Sequence, residues 1–407
     1  EMKENMGKYQ KALEEMNNAS VEYVRGMSVV KAFNQTASSF KKLKEAITGY
    51  TEWVLKFSLG WQNCMPAFTT IINNVYLILV PVGILIGTRT DDFAGFAMTF
   101  IFYLLFIPAI SGVLNKIMYI SESFMQINGN VARMDEILNI PEMPETAHPK
   151  KPVGDDVVFH DVSFSYTGDN SEKALENVSF SAKQGQITAI VGPSGGGKST
   201  IANLISRFWD VSSGSITIGG VDVRDVAEDD LMRQVSFVFQ DIFLFKQSVL
   251  DNIRMGNPSA SEEQVIAAAK AAQCHEFISK LPDGYHTVVG SKGIHLSGGE
   301  RQRIAIARAI IKDAPIIVLD EATAFSDPEN EYLIQKAFEK LMQDKTVIII
   351  AHRLSTIRNA DKIIVVEKGH LIEEGNHDEL VATGGRYAQM WNHYTEAIGW
   401  KISGKAV

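Results

Sequence analysis

The chain has 407 residues, of which 45% are hydrophobic, enough for two or three domains with buried cores. Its formal net charge is −9 and its pI is near 5.6. Nucleic-acid-binding proteins normally present a basic face, so this balance argues against a nucleic-acid partner. The acidity lies mostly after Lys150, where there are 26 basic and 34 acidic residues, against 13 and 14 up to that point.

The two cysteines lie far apart, Cys64 in an apolar stretch and Cys274 in an alanine-rich one. A disulfide between them is not expected, and a reducing compartment is the default for such a chain. The sequence starts at Glu1 inside a polar helical pattern and shows no signal peptide. We therefore expect a further amino-terminal portion.

Two long segments, residues 57–88 and residues 93–115, contain no charged residue. About 20 apolar residues span a bilayer, so each segment predicts a transmembrane helix, and a buried hairpin of soluble helices is the less favoured alternative. The polar residues 88–92 predict a tight turn between the two spans. Kinks are predicted at three prolines, Pro66, Pro81 and Pro108.

Basic residues flank the two spans, which predicts that both ends of the hairpin face the cytoplasm. They are Lys31, Lys41, Lys42, Lys44, Lys56, Lys116 and Arg133. Three asparagines inside the first span, Asn63, Asn73 and Asn74, indicate either a polar path or interhelical hydrogen bonds. Two helices cannot enclose a pathway, so further helices are expected from an amino-terminal portion or from another chain.

Residues 1–140 are thus predicted to be a partial, all-α transmembrane domain, followed by a proline-rich linker at residues 141–152. From residue 153 to 407, short β-branched runs such as "VVFHDVSFSY", "PIIVLD" and "TVIIIAH" alternate with helical segments. This alternation is typical of an α/β domain with a mostly parallel sheet, in which ligands bind at the carboxyl ends of the strands.

The motif "GPSGGGKST" at residues 192–200 follows a predicted strand and precedes a predicted helix, the context of a phosphate-binding loop (P-loop). Its backbone N–H groups would surround the β-phosphate of a nucleotide, Lys198 would reach the β and γ oxygens, and Ser199 would bind Mg²⁺. The residues of this loop predicted to bind ATP are Gly192, Ser194, Gly195, Gly197, Lys198, Ser199 and Thr200.

Four further side chains at strand ends complete a predicted hydrolytic site. Asp320 would hold Mg²⁺ together with Ser199, and Glu321 would orient an attacking water, although paired acids at a strand end also form helix caps. Gln240 would offer its amide to the metal and the water, and His352 would donate to the γ-phosphate. The predicted catalytic residues are Lys198, Gln240, Glu321 and His352.

A second anion-binding feature lies in "LSGGERQR" at residues 296–303, where two glycines open a predicted helix. The free N–H groups and the positive dipole end of a helix start attract anions. The chain would thus contain two phosphate-binding sites, although a single nucleotide needs only one P-loop.

The order Tyr166, "GPSGGGKST", Gln240, "LSGGE", "VLDEAT" and His352 resembles the nucleotide-binding domain of ATP-binding cassette (ABC) transporters. The preceding hairpin and linker resemble the last membrane helices of exporter-type half-transporters. The resemblance implies that Tyr166 stacks on adenine and that Asp327 lies in a loop crossing to a second subunit. It also implies that Ser297, Gly298 and Gly299 bind the ATP of a partner chain, so that one chain holds two half-sites.

The same resemblance extends to the joint with the membrane region. Residues 16–26 ("MNNASVEYVRG") resemble a short helix that docks on the opposite subunit, and residues 241–253 resemble the surface that receives such helices. The chain departs from the family pattern at residues 324–327, "AFSD" in place of "SALD", and at Ser291 in place of a glutamate. "DEATAFSDPENE" at residues 320–331 is similar to the siderophore-uptake branch.

These observations predict an ATP-hydrolysing half of an ABC transporter that uses ATP and Mg²⁺ and works by alternating access. Export of a lipid, drug or peptide is the favoured direction, siderophore import is the alternative, and a soluble or channel-gating ABC ATPase is the alternative of another class. The expected location is the plasma (inner) membrane, multi-pass, with the nucleotide-binding domain in the cytoplasm. The expected partners are a second half-transporter, membrane lipid and a transported molecule, without nucleic acid.

Overall fold

The computed structural model describes residues 2–32, 41–168, 172–290, 294, 296–320, 328–351 and 354–403. The chain divides into two compact units, Glu1–Pro141 and Glu142–Val407. The first unit is helical, and the second contains both sheets. Residues 142–152, which the sequence predicts as linker, pack with the second unit.

The first unit follows the uncharged segments and their polar flanks. Its described helices are α1 (Met2–Arg25), α2 (Met27–Ala32), α3 (Lys41–Trp61), α4 (Cys64–Asn73), α5 (Tyr76–Gly87) and α6 (Phe93–Leu138). Among the described residues, one helical stretch, Phe93–Ile117 of α6, is long and apolar enough to cross a membrane alone. The pair α4 and α5 reaches that length only together, with a bend of 42° between them.

The first predicted span is therefore broken, which corrects the continuous helix expected over residues 57–88. The bend between α4 and α5 lies at Asn74, whose side-chain amide donates to the Thr70 carbonyl at 2.8 Å. Asparagine side chains that bond to nearby backbone compete with helix continuation in this way. Helices α5 and α6 continue through Pro81 and Pro108, and Pro66 lies in the first turn of α4, where proline is tolerated.

Two polar side chains of α6 bind the end of α4. Ser111 Oγ donates to the Ile72 carbonyl at 2.7 Å, and Asn115 Nδ2 donates to Asn73 Oδ1 at 3.0 Å. Apolar surroundings offer no water to polar groups at such a bend, so protein partners must satisfy them. Of the two interpretations of the asparagines, the structure supports interhelical hydrogen bonding for Asn73.

The segment expected to dock on another subunit, residues 16–26, does not form a separate helix. Residues 16–25 are the end of the long helix α1, and a short separate helix, α2, begins only after Gly26. The segment is therefore not the short helix that the resemblance implies, and the short helix next to it in the chain is α2. Its sequence, "MSVVKA", is mostly apolar.

The second unit contains two sheets, nine described α-helices and three short 3₁₀ helices. Its strands are β1 (Val157–Phe164), β2 (Leu175–Ala182), β3 (Ile187–Val191), β4 (Ser213–Ile218), β5 (Val221–Asp222), β6 (Val235–Val238), β7 (Ile316–Asp320), β8 (Thr346–Ile350), β9 (Lys362–Glu367) and β10 (His370–Gly375). Its helices are α7 (Lys198–Ile205), α8 (Glu228–Gln234), α9 (Val249–Arg254), α10 (Glu262–Ala271), α11 (His275–Ser279), α12 (Gly298–Lys312), α13 (Pro328–Met342), α14 (His377–Thr383) and α15 (Arg386–Ser403).

The larger sheet has the order β10-β9-β3-β8-β7-β6, and only β10 runs antiparallel to its neighbour. The side chains of β7 alternate between two hydrophobic cores, one on each face of the sheet. Ile317 and Leu319 pack in one core, and Ile316 and Val318 pack in the other. A parallel sheet buried on both faces needs the continuous apolar runs seen in the sequence. Each such side chain contributes about 1.5–3 kcal/mol on burial.

The smaller sheet, of order β2-β1-β4-β5, is antiparallel. Strand β1 is the run "VVFHDVSFSY", which the sequence pattern assigns to the parallel sheet, so that assignment is wrong. A β-branched run shows that a strand forms but not the direction of its partner, and β1 pairs with β2 and β4 instead. The inward rings Phe159 and Phe180 stack across β1 and β2 with centroids 4.5 Å apart.

The residues before β1 are held to the second unit at two points. Arg207, which follows α7, donates from Nη2 to the Pro144 carbonyl at 2.8 Å while its guanidinium also binds Asp210. Lys150 bonds to Asp225 through both its backbone N–H and its ammonium, and this contact raises the pKa of Lys150. The chain entering the second unit is thus fixed against the end of the helix that begins at the P-loop.

Cys274 is buried just before α11, and its thiol donates to the Ala269 carbonyl at 3.2 Å. Burial raises the pKa of this thiol to about 12. Only the thiolate is nucleophilic, so at pH 8 we expect Cys274 to react with iodoacetamide about a thousandfold more slowly than a free cysteine.

The measurement is mass-spectrometric labelling of a Cys64→Ser variant, in which Cys274 is the sole cysteine. In urea at the same pH, the labelling rate should rise to that of a free cysteine. Fast labelling under native conditions would contradict the buried position.

Candidate functional site

The P-loop runs from the end of β3 to the start of α7. Gly192 has φ +146°, and a Cβ at this position would lie 1.9 Å from the Val366 carbonyl oxygen. Gly197 has φ +105°, and a Cβ there would lie 2.7 Å from Leu175 Cδ2. Both the left-handed conformation and the close approach require glycine, which leaves the backbone N–H groups of the loop unshielded by side chains.

Lys198 is the first residue of α7 and is buried under this loop. Its ammonium donates to the carbonyls of Gly192 and Pro193 at 3.0 and 2.9 Å. Burial lowers the pKa of Lys198, and the nearby charge of Asp320 opposes this shift. A desolvated cation beside a glycine-rich turn at a helix start fits a phosphate, whose negative charge would favour the protonated lysine.

The other predicted ligands in this loop lie around the same turn. Ser194, Gly195 and Ser199 are exposed, whereas Thr200 is buried. The Tyr166 hydroxyl donates to Thr200 Oγ1 at 3.2 Å. The exposed Ser199 hydroxyl at the first turn of α7 is therefore open to a ligand, while Thr200 anchors Tyr166 to the same helix.

Sheet register brings Asp320 to the edge that carries the P-loop. Asp320 pairs with Ile350 of β8, and Ile350 pairs with Ile190 of β3, one residue before the end of that strand. The carboxylate of Asp320 and the hydroxyl of Ser199 are hard oxygen donors of the kind that Mg²⁺ prefers. The residues at this edge thus fit a magnesium ion beside a bound phosphate.

Gln240 follows β6 by two residues and is exposed. Strand β6 pairs with β7 in a register that sets Val238 beside Leu319, so Gln240 lies at the same edge as Asp320. Three further predicted site residues, Glu321, Asp327 and His352, lie outside the described residues. The two departures from the family pattern, at residues 324–327 and at residue 291, also lie outside them.

An aromatic cluster stands next to the loop. The half-exposed ring of Tyr166 meets Phe164 and Trp209 edge to face, with centroids 4.8 and 5.2 Å away. The sequence predicts Tyr166 as a site residue but does not predict its neighbour Trp209. The signal for Trp209 is its position in "RFWD", four residues after the end of α7. Two rings fix the orientation of Tyr166 and leave part of its surface open for a flat ligand such as a base.

The second anion-binding feature is a preformed helix start. Helix α12 begins at Gly298, as predicted, with Ser297 as its N-cap. Ser297 Oγ accepts from the Glu300 N–H at 3.3 Å, and Glu300 Oε2 accepts from the Ser297 N–H at 2.7 Å. This capping box was missed in the sequence, although the spacing Ser-x-x-Glu signals it. Ser297 is exposed, Gly298 is half-buried and Gly299 is buried.

These features agree with comparisons to known proteins. Residues 175–324 match the family model described as "ABC transporter". The chain is 38% identical over 387 residues to the mycobactin import ATP-binding/permease protein IrtA of Mycobacterium tuberculosis, which covers 94% of this chain and 44% of that protein. It is 39% identical over 391 residues to the ATP-dependent lipid A-core flippase of Desulfotalea psychrophila, covering 95% of this chain and 67% of the flippase.

A solved structure, a bacterial Atm1-family ABC exporter with ATP bound, matches 100% of this chain with a TM-score of 0.76 and 31% identity. The chain covers 70% of that exporter, and it spans less than half the length of the mycobactin importer. The match extends over both units. The exporter therefore contains a helical region and an ATP-binding domain in one chain, as this protein does. The chain therefore belongs to the ABC transporter family, among the half-transporters with the exporter-type fold.

Proposed function

We propose that this chain is the ATP-hydrolysing half of a transporter that moves a substrate across the plasma (inner) membrane by alternating access. The observation that carries the proposal is the geometry of the P-loop. Its glycine backbone, the buried ammonium of Lys198 and the Asp320 carboxylate lie at one edge of the large sheet. The apolar stretch Phe93–Ile117 and the bent pair α4 and α5 supply the membrane part.

Each residue of this edge has a role in hydrolysis under the proposal. Lys198 holds the β and γ oxygens, and its charge stabilises the transferred phosphoryl group. Ser199, Asp320 and Gln240 would hold Mg²⁺, which would neutralise charge on the phosphates. Glu321 orients the attacking water and His352 donates to the γ-phosphate.

The start of α12 serves a second subunit in this proposal. The capped start of α12 suits a phosphate, with Ser297 exposed, Gly298 half-buried and Gly299 buried, while the same chain already has its own P-loop. Each ATP would then lie between the P-loop of one chain and the α12 start of a partner, with Asp327 in the crossing loop. Dimerisation with a second half-transporter thus becomes part of the active site.

Coupling to the membrane region uses an exposed aromatic surface. Residues 241–253 carry Phe243 and Phe245, which are 67% and 47% exposed and whose rings meet edge to face at 5.0 Å. Exposed apolar surface of this kind indicates a docking site. We propose that it receives a short apolar helix such as α2 from a half-transporter.

Two directions of transport find support among the relatives. The lipid A-core flippase and the Atm1-family exporter favour export, for which we keep a lipid, drug or peptide as the substrate, and the mycobactin importer favours siderophore uptake. We propose export as the activity and import as the second candidate. ATP hydrolysis by the full-length protein in lipid discs, measured with lipid A and with mycobactin, separates them, because a transported substrate stimulates turnover.

Replacing the P-loop lysine tests the hydrolytic site. For Lys198→Ala we expect Mg²⁺-dependent ATP hydrolysis to fall at least about a hundredfold, because the charge at the transferred phosphate is lost. The assay is phosphate release from the purified full-length dimer. Turnover at the wild-type level would show that the P-loop is not the site of ATP hydrolysis.

A second substitution distinguishes a transporter from an ABC protein that only gates a channel. Glu321→Gln removes the base that orients water, so we expect turnover to fall at least about a hundredfold while ATP still binds. A wild-type protein without hydrolysis, and without change on Glu321→Gln, would favour gating over transport.

Ser297→Arg tests the shared site. We expect ATP to bind the chain's own P-loop within about twofold of wild type, while hydrolysis falls at least about a hundredfold because the closed dimer is blocked. Ser261→Arg is the matched control, since Ser261 closes the same kind of capping box on α10 with Gln264. Equal losses in both variants, or none in Ser297→Arg, would show that the start of α12 does not serve a nucleotide.

A further inference from the structure

A cavity of about 440 Å³ lies between four helices of the second unit. Its walls come from the end of α10, from α11, from α12 and from the first two turns of α13. The described residues that line it include none of the P-loop and none of the start of α12. Cavities that bind small molecules have volumes of about 300–1,000 Å³, so this one has room for a small molecule.

Three cationic side chains from three different elements line this cavity. Arg303 of α12 is 4% exposed, whereas Lys270 in the last turn of α10 and Lys280 after α11 are exposed. One acidic residue, Glu276, lines it as well, so three positive charges against one negative charge leave +2. Like charges around one cavity repel each other, and an anion bound between them would relieve that repulsion.

The guanidinium of Arg303 is held in one orientation. Its Nη1 donates to Asn330 Oδ1 at 2.7 Å, and its central carbon lies 5.3 Å from the ring centre of Phe277. A guanidinium has five N–H groups in a planar arrangement that matches the oxygens of a phosphate. Because this side chain is already ordered, an anion that binds it costs less conformational entropy than one that binds a mobile arginine.

The two lysines complement this fixed group. Among the residues that the structure describes, neither the Lys270 nor the Lys280 ammonium forms an ion pair or a hydrogen bond. An ammonium on a flexible four-carbon stem can move to meet a phosphate oxygen. The exposed charges would therefore attract an anion from solution, and the buried guanidinium would fix it inside the cavity.

His275, which also lines the cavity, adds a neutral group. Its Nδ1 lies 2.8 Å from the hydroxyl of Tyr285, a residue that is 9% exposed. Burial raises the pKa of Tyr285, so the hydroxyl stays protonated at neutral pH. A hydroxyl that donates to Nδ1 leaves the ring proton on Nε2, and the imidazole can then donate from Nε2 to an anion.

We propose that this cavity binds a soluble small molecule that carries phosphate, held by Arg303, Lys270 and Lys280. The bound anion connects the ends of α10 and α11 to α12 through charge-assisted hydrogen bonds. It therefore stabilises the packing of these three helices, since a ligand of the folded state favours that state. The site is separate from the hydrolytic site and does not depend on the proposed function.

The first test is lysine acetylation of the full-length Lys198→Ala protein in discs of zwitterionic lipid, read by mass spectrometry with and without pyrophosphate. The Lys198→Ala background removes the P-loop cation that would bind the same probe. We expect pyrophosphate to slow the acetylation of Lys270 and Lys280 at least about fivefold, because an adjacent anion favours the protonated, unreactive amine. Lys336, an exposed lysine of α13 outside the cavity, should keep its rate.

The second test is calorimetric titration of the same protein with pyrophosphate. Lys270→Ala together with Lys280→Ala should weaken binding at least about tenfold, because two charge-assisted contacts are lost. Lys336→Ala together with Lys340→Ala is the matched control, which removes the same net charge from exposed positions of α13 and should bind within about twofold of the background. All four lysines are exposed, so none of these substitutions is expected to unfold the chain.

Pyrophosphate bound only at the P-loop or at the start of α12 would bind both double variants equally and leave Lys270 and Lys280 unprotected. That result would overturn the proposal. Discs that contain phosphatidic acid, without pyrophosphate, test a lipid headgroup as the source of the phosphate. Protection of the two lysines by this lipid and not by pyrophosphate would also overturn it, because the ligand would then not be a soluble molecule.

Discussion

Parallel pairing of β3 with β8, and of β8 with β7, brings the P-loop and Asp320 to one edge of the large sheet. A one-residue slip in either pairing would turn the alternating apolar residues of these strands to the opposite faces. Because separate cores cover both faces, such a slip would expose or strain both at once. The same packing that stabilises the domain therefore fixes the distance between the buried ammonium of Lys198 and the carboxylate of Asp320.

Local chemistry made part of the site predictable from sequence. Three of its features depend on residues within a few positions of each other: the P-loop glycines, the acid that ends β7 and the glycines that begin α12. In the structure the loop, the strand end and the helix start lie where these motifs predict them. Long-range contacts were not predictable in this way. Trp209 is set against Tyr166 by the packing of α7, and the contact between Arg303 and Asn330 joins residues 27 positions apart.

The errors have a common physical origin. The sequence pattern groups the run at β1 with a mostly parallel sheet, but a β-branched segment carries no information on the direction of its partner strand, and β1 pairs antiparallel with β2 and β4. Hydropathy predicts a continuous first span because it measures apolar length, whereas the helix breaks between Asn73 and Tyr76, where the Asn74 side chain donates to the Thr70 carbonyl. In both cases the deciding interaction involves hydrogen-bond partners, which composition does not reveal.

The bonds from Ser111 and Asn115 to the end of α4 have a mechanical consequence. In hydrocarbon no water replaces a broken hydrogen bond, and each interhelical bond contributes about 0.6–2 kcal/mol. Two of them, placed where α4 ends, favour α4 and α6 moving together as one rigid body. In the proposed alternating-access cycle, sliding would then take place at the outer faces of this pair, while the hydrogen-bonded joint between α4 and α6 moves as a unit.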